Sequence, residues 1–251
     1  MDSFQISDTG AVRKLNEDCC GSFVSRDGRV RFYIIADGMG GHLAGEVASA
    51  MAVELFGKAA SYYEYTCRQD LEQFLISVVA GIDSEIGEKA AASQNCSNMG
   101  TTAVIYAAAE NYGIFCNVGD SRGYVISRGA MRQITRDHSL VQSMIDNGYI
   151  FDNEEQKSHF SNAITKALGF LSKSGQDTFC DLFTVTPAFG DIILLCSDGL
   201  TNMLSDSEIL NIAVSGKSLS DIASSLVKEA NAKGGDDNIT VSLLRYGAIG
   251  G

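Results

Sequence analysis

Apolar residues fall into two rhythms along this chain. Short runs rich in Val, Ile, Phe and Tyr occupy Cys20–Ser25, Val30–Ala36, Thr102–Ala109, Gly113–Val118, Arg122–Arg128, Thr178–Val185, Ile192–Cys196 and Ile239–Arg245. Runs of that length and make-up predict strands. Asp27-Gly28, Glu110-Asn111 and Arg128-Gly129 join several of them, and connections that tight imply antiparallel pairing. Longer segments repeat with helical spacing. Ala44–Tyr63 has apolar side chains at Val47, Met51, Leu55 and Ala59, and Asp70–Ser93 places Leu71, Leu75, Val78, Ile82 and Ile86 on one face. Shorter helices are predicted at Ser139–Asn147, Asp206–Ala213 and Leu219–Ala232, with Ser205 to Glu208 forming a capping box before the second. Strands and helices are segregated rather than alternating, which favours an α+β fold of antiparallel sheets covered by helices. No linker, repeat or charge block divides the chain, so residues 1–251 are expected to form one domain.

Several of these runs end in an acid. "YIIADGMGGH" leads from a strand without alternation into Asp37-Gly38, then a glycine cluster and a helix. By contrast Asp27-Gly28 lies between arginines with alternation on both sides, as an ordinary hairpin turn would. The construction at Asp37 recurs in "GIFCNVGDSR", ending at Asp120, and in "DIILLCSDGL", ending at Asp198. Glu17-Asp18 and Asp236-Asp237 stand directly before other strands. One Asp at a strand end commonly does no more than cap a turn or helix. Gathered at one end of a sheet, ionised carboxylates repel one another and call for cations. An all-oxygen set suits Mg²⁺ or Mn²⁺, and with three histidines and no H-E-x-x-H motif zinc is disfavoured.

Charge sharpens this picture. The chain carries 31 acidic and 19 basic residues, a formal charge of −12. That field repels nucleic acid and anionic membranes, and would repel phosphate unless metal ions invert the local sign. No apolar run approaches the ~18 residues of a membrane span. The N-terminus has no signal pattern, and the seven cysteines form no pairing framework. A cytoplasmic setting is expected, with no membrane or nucleic-acid partner. No heptad or interface stripe is present, and a monomer is expected.

The segments "RKLNED", "ADGMGGHLAGEVAS", "GTT", "NVGDSR", "TRDHS", "NAITKALG", "CSDGL" and "GGDDNIT" occur in that order from Arg13 to Thr240. In this they closely resemble the metal-dependent protein phosphatases of type 2C, in their compact bacterial form. The resemblance implies a four-layer α-β-β-α sandwich and hydrolysis of phosphoserine and phosphothreonine in proteins, with phosphorylated proteins, a serine/threonine kinase among them, as partners. It implies two to three divalent ions, Mn or Mg. Asp37 would bridge two of them, the Gly38 carbonyl would join the second, and Asp198 and Asp237 would hold the first. Glu17 would act through a water, and Asp120 would hold a third ion with Asp198. Asp18 and Asn238 would support the cluster, and Arg13 would grip the substrate phosphate. A flap subregion about residues 139–169 is expected beside the site. Lys166 stands where bacterial members commonly carry arginine. Met39 replaces the histidine proposed as general acid in many eukaryotic members.

Two other readings compete. Cys116 and Arg122 fit the C-x₅-R pattern of cysteine-dependent phosphatases. Against it, Cys116 lies inside an apolar strand and Asp120 would repel phosphate. A catalytically inactive phosphoprotein-binding scaffold would be expected to have lost acids that this chain retains.

Overall fold

A computed structural model describes residues 1–40, 44–151, 163–171 and 180–247. Two antiparallel sheets pack face to face. The first runs in the order β1 (Asp2–Asp8), β11 (Ile239–Arg245), β10 (Ile192–Cys196), β7 (Arg122–Ser127) and β8 (Ala130–Gln133). The second runs β2 (Asp18–Val24), β3 (Arg31–Met39), β5 (Ala103–Ala108), β6 (Gly113–Val118) and β9 (Asp181–Val185), with the short β4 (Gly100–Thr101) pairing the end of β3.

The strand β3 shows why its sequence lacks alternation. Phe32, Ile34 and Ala36 point outward into a core shared with α1 (Ala44–Tyr62) and α2 (Arg68–Ala92). Tyr33 and Ile35 point inward, meeting Val104, Tyr106 and Phe115 of their own sheet and Ile193, Leu195 and Leu244 of the other. Both faces are buried, so both must be apolar. The outer face of the first sheet is covered in the same way. Leu194, Val241 and Leu243 pack with Ile209 of α5 (Asp206–Ala213) and with Ile222 and Leu226 of α6 (Leu219–Ala232). The result is the four-layer α-β-β-α sandwich that the resemblance implied. Each fully buried Leu or Ile contributes roughly 1.5–3 kcal/mol of transfer free energy; one apolar layer joins the two sheets and two more join each sheet to its helices.

Three strands lie outside the predicted set, among them the two-residue β4. β1 (DSFQISD) has only Phe4 and Ile6 facing the core, and β8 is a short edge strand. Edge strands with one wet face carry too little apolar signal to stand out. Residues 178 and 179 of the predicted Thr178–Val185 strand lie outside the described residues, as does 152–162 of the expected flap. Its described ends are tied to the body. Leu140 N donates to Ala163 O, Thr165 N to His138 O, and Leu168 pairs with Thr101. The fully buried Asp83 of α2 accepts hydrogen bonds from Gly169 N (2.6 Å) and Leu171 N (3.0 Å).

Candidate metal centre

Period-two alternation carries Asp37 onto the inward face after Tyr33 and Ile35, and strand register sets Asp18 of β2 directly opposite it. Two carboxyl groups thus meet where the intersheet core ends. Asp198 opens the one-turn helix α4 (Asp198–Thr201) just after β10, Asp237 precedes β11, and Asp120 sits in the β6–β7 turn. Their charges are mutually felt. Asp37 is held well above the usual carboxylate range, first by burial, then by Asp18, Asp198, Asp120 and Asp237. Burial also raises Asp18 to about 7, with Asp198 and Asp237 adding to it against the hydrogen bonds of Thr240 and Ser197. Burial, Asp198 and Asp137 raise Asp120 to about 7. Asp198 is raised by burial and by Asp237, and accepts a hydrogen bond from Asp37. Five acids from distant parts of the chain therefore converge on one place.

Their supports are specific. Asp18 Oδ2 accepts from Ser197 Oγ and Thr240 Oγ1, both at 2.7 Å. The backbone of Asp37 is clamped by threonines: its N–H donates to Thr102 Oγ1, and its carbonyl accepts from Thr102 N and Thr101 Oγ1. Thr102 Oγ1 in turn lies 2.7 Å from Ser121 Oγ, which links the Asp37 strand to the Asp120 turn. His138 Nδ1 accepts the Gly119 N–H on that turn, while Nε2 stands 3.2 Å from Asp181 Oδ2. Burial lowers the pKa of His138, consistent with a neutral ring. Arg122 forms a forked pair with Asp137 at 2.6–3.0 Å.

Gly38 and Gly45 make room for oxygen. A Cβ on Gly45 would stand 2.5 Å from Glu17 Oε1 and 2.8 Å from the Gly38 carbonyl oxygen. Both oxygens therefore lie side by side at the start of α1, where the Gly45 N–H donates to the Glu17 carboxylate. Burial raises Glu17, with Arg13 and that N–H pulling the other way. Arg13 pairs with Asp237 at 2.8 Å, both side chains being part-exposed. Asn238 is buried and organises the loop before β2: its Oδ1 accepts Glu17 N, and its Nδ2 donates to Thr9 O and Leu15 O.

Glu17 Oε1, Asp18 Oδ1, Asp120 Oδ1 and Asp198 Oδ1 are buried without a hydrogen-bond donor. Buried carboxylate oxygens normally find one, and a set of unpaired oxygens in an acidic pocket matches the donor preference of Mg²⁺ or Mn²⁺. Among the described residues no three His, Cys, Asp or Glu side chains already stand in closed ligand geometry. The Asp37–Asp198 hydrogen bond and the Arg13–Asp237 pair each engage carboxylate oxygens of the cluster. The residues present fit the ions.

Cys116 lies fully buried in β6, its thiol pushed up by Cys180 and by burial. With Arg122 engaged by Asp137 as well, the cysteine-nucleophile reading has no accessible thiolate and no free arginine. Every acid of the cluster was marked by its place in the sequence. Thr101 and Thr102 had no role there beyond the strand, and Ser121, Ser197 and Thr240 were not singled out. Hydroxyls at strand ends carry no distinguishing pattern.

Two packed antiparallel sheets with acids at one end define a class, the serine/threonine phosphatases, and comparison with known proteins places the chain within it. A model of the protein phosphatase 2C family matches residues 11–238, and the chain belongs to that family. It is 39% identical over 241 residues to the serine/threonine phosphatase stp of Listeria monocytogenes, covering 95% of this chain and 93% of the relative. It is 36% identical to protein phosphatase PhpP of Streptococcus pneumoniae, covering 97% of each. Among solved structures, the serine/threonine phosphatase of S. agalactiae superposes with a TM-score of 0.90 at 33% identity, over 96% of this chain and 98% of that one. That of Mycobacterium tuberculosis, PstP/Ppp, does so with a TM-score of 0.84 at 32%, covering 98% of each chain. The activity is protein serine/threonine dephosphorylation, its substrates are phosphoproteins, and the family is generally metal-dependent. No helix among the described residues is long and apolar enough to cross a membrane.

Proposed function

We propose that Asp37, Asp198, Asp237 and the Gly38 carbonyl hold two divalent ions, Mn or Mg, that Asp120 with Asp198 holds a third, and that Glu17 joins through a water. The observation that carries this reading is the convergence of Asp37, Asp18, Asp198, Asp120 and Asp237, with buried oxygens of Glu17, Asp18, Asp120 and Asp198 left without a donor. When bound, such ions supply Lewis acidity toward water and phosphoryl oxygen. The protein's own part is positional. Asp18, fixed by Ser197 and Thr240, forms the inner wall opposite Asp37 across the strand pair. Thr101 and Thr102 fix the Asp37 backbone, so the carboxylate is aimed before any ligand arrives.

Arg13 exchanges Asp237 for the substrate phosphate. A part-exposed ion pair is worth about 0–1 kcal/mol, so a dianionic phosphate can displace it, and the guanidinium fork takes two phosphate oxygens at once. Met39 has no proton to give, and the departing serine or threonine oxygen is protonated from water. The ions offset the −12 charge locally, which reconciles an acidic protein with an anionic substrate. The cellular task is reversal of a serine/threonine kinase. Phosphate release from a phosphothreonine peptide, titrated with Mn²⁺ after EDTA stripping, tests the reading. Turnover that survives stripping would overturn it.

A further inference from the structure

Away from the carboxylates, at the opposite end of the first sheet, lies a basic surface that the chemistry does not use. Strand β10 runs from Ile192, on the rim of this surface, to Cys196 beside Asp198, so the two ends are separated by roughly 13–14 Å of strand. A groove of about 320 Å³ is lined there by Arg128, Arg245 and Val214, and a second of about 390 Å³ by Lys217 and Lys228. The grooves adjoin, since Arg245 Nη2 donates to the carbonyl of Lys217. None of these four cations has an ion-pair partner among the described residues, although acids outnumber bases 31 to 19. The one acid on the lining, Asp221, is turned to its own helix start and accepts Ser218 Oγ at 2.6 Å. Apolar surface adjoins the charge. Phe189 is 82% exposed next to Gly190 of the groove, and Val214 is 47% exposed.

Arg128 is held at some cost. It takes φ +50° with Gly129 at +77° in the β7–β8 turn, a conformation that Gly, Asn or Asp adopts more readily. Its neighbour β8 needs the tight turn but not an arginine. Strain kept at an exposed position points to use rather than to folding.

We propose that this surface docks an acidic segment, carrying an aromatic or aliphatic side chain, of the phosphoprotein substrates. Unpaired cations on an otherwise acidic protein supply the charge complementarity, and Phe189 with Val214 supplies the apolar contact. The proposal rests on the phosphatase reading only for the identity of the partner. Docking far from the chemistry raises the effective concentration of the phosphosite without touching the reacting atoms.

The test uses the full chain with Mn²⁺ and two phosphothreonine peptides. One ends in a Glu-Glu-Phe-Glu-Glu tail joined through about twelve Gly/Ser residues, which span roughly 19 Å; the other lacks the tail. Low salt should favour the tailed peptide about tenfold in kcat/KM, and the gain should fade near 0.5 M salt. The combined variant Arg128→Gly, Lys217→Gln, Lys228→Gln should lose the gain while p-nitrophenyl phosphate turnover is unchanged. Glycine suits the φ of position 128, and the two lysines are exposed, so the variant keeps its fold. Equal kcat/KM for the two peptides, or a gain retained by the variant, overturns the proposal. So does self-association of the wild type that the variant abolishes, or capture of phosphatidylserine vesicles in place of the tail. Fluorescence anisotropy of the tail alone decides the groove separately, even if neither peptide is hydrolysed.

Discussion

Asp18 and Asp37 face each other across the β2–β3 pair, a buried and a part-buried residue whose carboxyl groups stand at directly opposed positions of an antiparallel ladder. Like charges so placed destabilise a sheet, and here one side carries hydroxyl donors while the other carries the hydrogen bond to Asp198. The arrangement stores repulsion that protons or cations relieve.

A pH dependence follows. Asp18 and Asp120 are raised to about 7 from an ordinary value near 3.8. Between those limits the folded, metal-free protein binds more protons than the unfolded chain, so its stability falls as pH rises. Every tenfold gain in proton affinity on folding is worth about 1.4 kcal/mol, and the two groups together cost on the order of several kcal/mol by pH 8. Thermal melts of the EDTA-treated protein should show Tm falling between pH 5 and 8, and Mn²⁺ should flatten or reverse the slope. A metal-free Tm that climbs with pH would contradict the crowding of these acids.

Neutralising single acids should split function from stability. Asp37→Asn and Asp198→Asn should each reduce turnover by more than about a hundredfold, beyond the 10–100-fold typical of losing a group outside the ligand set. Each removes a charge that its neighbours disfavour, so the metal-free Tm should rise. Asp120→Asn should behave alike in stability with a smaller loss of rate. Steady-state kinetics alongside scanning calorimetry separates the two effects. Near-normal turnover by Asp37→Asn would remove Asp37 from the proposed ligand set.

How much of this was readable beforehand depended on what each residue has to do. Asp37, Asp120 and Asp198 stood out because an apolar run ending in an acid is a legible pattern, and the outer helices were legible from spacing such as Leu71, Leu75, Ile82 and Ile86. The capping box was legible too, and Glu208 Oε2 accepts from Ser205 N at 3.0 Å. Ser197, Thr240 and Ser121 were not, because a hydroxyl matters only through what lies opposite it after folding. β1 was hidden for a related reason: half of it faces solvent, and its place beside β11 is set by long-range pairing. Asn238 stands next to Asp237 in sequence, yet its hydrogen bonds reach back to Thr9, Leu15 and Glu17.

Asp83 tests how the segment beside the site is anchored. Its carboxylate receives the Gly169 and Leu171 N–H groups inside the outer core. Asp83→Ala would leave both donors buried without that acceptor, at about 1–3 kcal/mol each. A urea midpoint lowered accordingly is expected, with hydrolysis of p-nitrophenyl phosphate largely retained in the folded fraction because the carboxylate cluster is untouched. Unchanged stability would mean that the 163–171 segment finds other partners.

Asn238 offers the sharper test of the site itself. Its amide binds the loop before β2 at three points, and that loop carries Arg13 and Glu17. Asn238→Ala frees Glu17 N and two carbonyls, so Arg13 should lose its aim while Asp37 and Asp198, held by β3 and α4, keep theirs. On the proposed role of Arg13 in gripping the substrate phosphate, KM for a phosphothreonine peptide should rise several-fold with a smaller fall in kcat. Asn238→Asp discriminates further. It keeps the acceptor for Glu17 N but loses both N–H donors and adds a charge beside Asp237. If the loop's geometry alone matters, this variant should lie between the wild type and Asn238→Ala in KM. If the added charge dominates, it should instead take up Mn²⁺ more tightly in calorimetry, and a KM equal to that of the wild type in both variants would show that Asn238 does not govern Arg13.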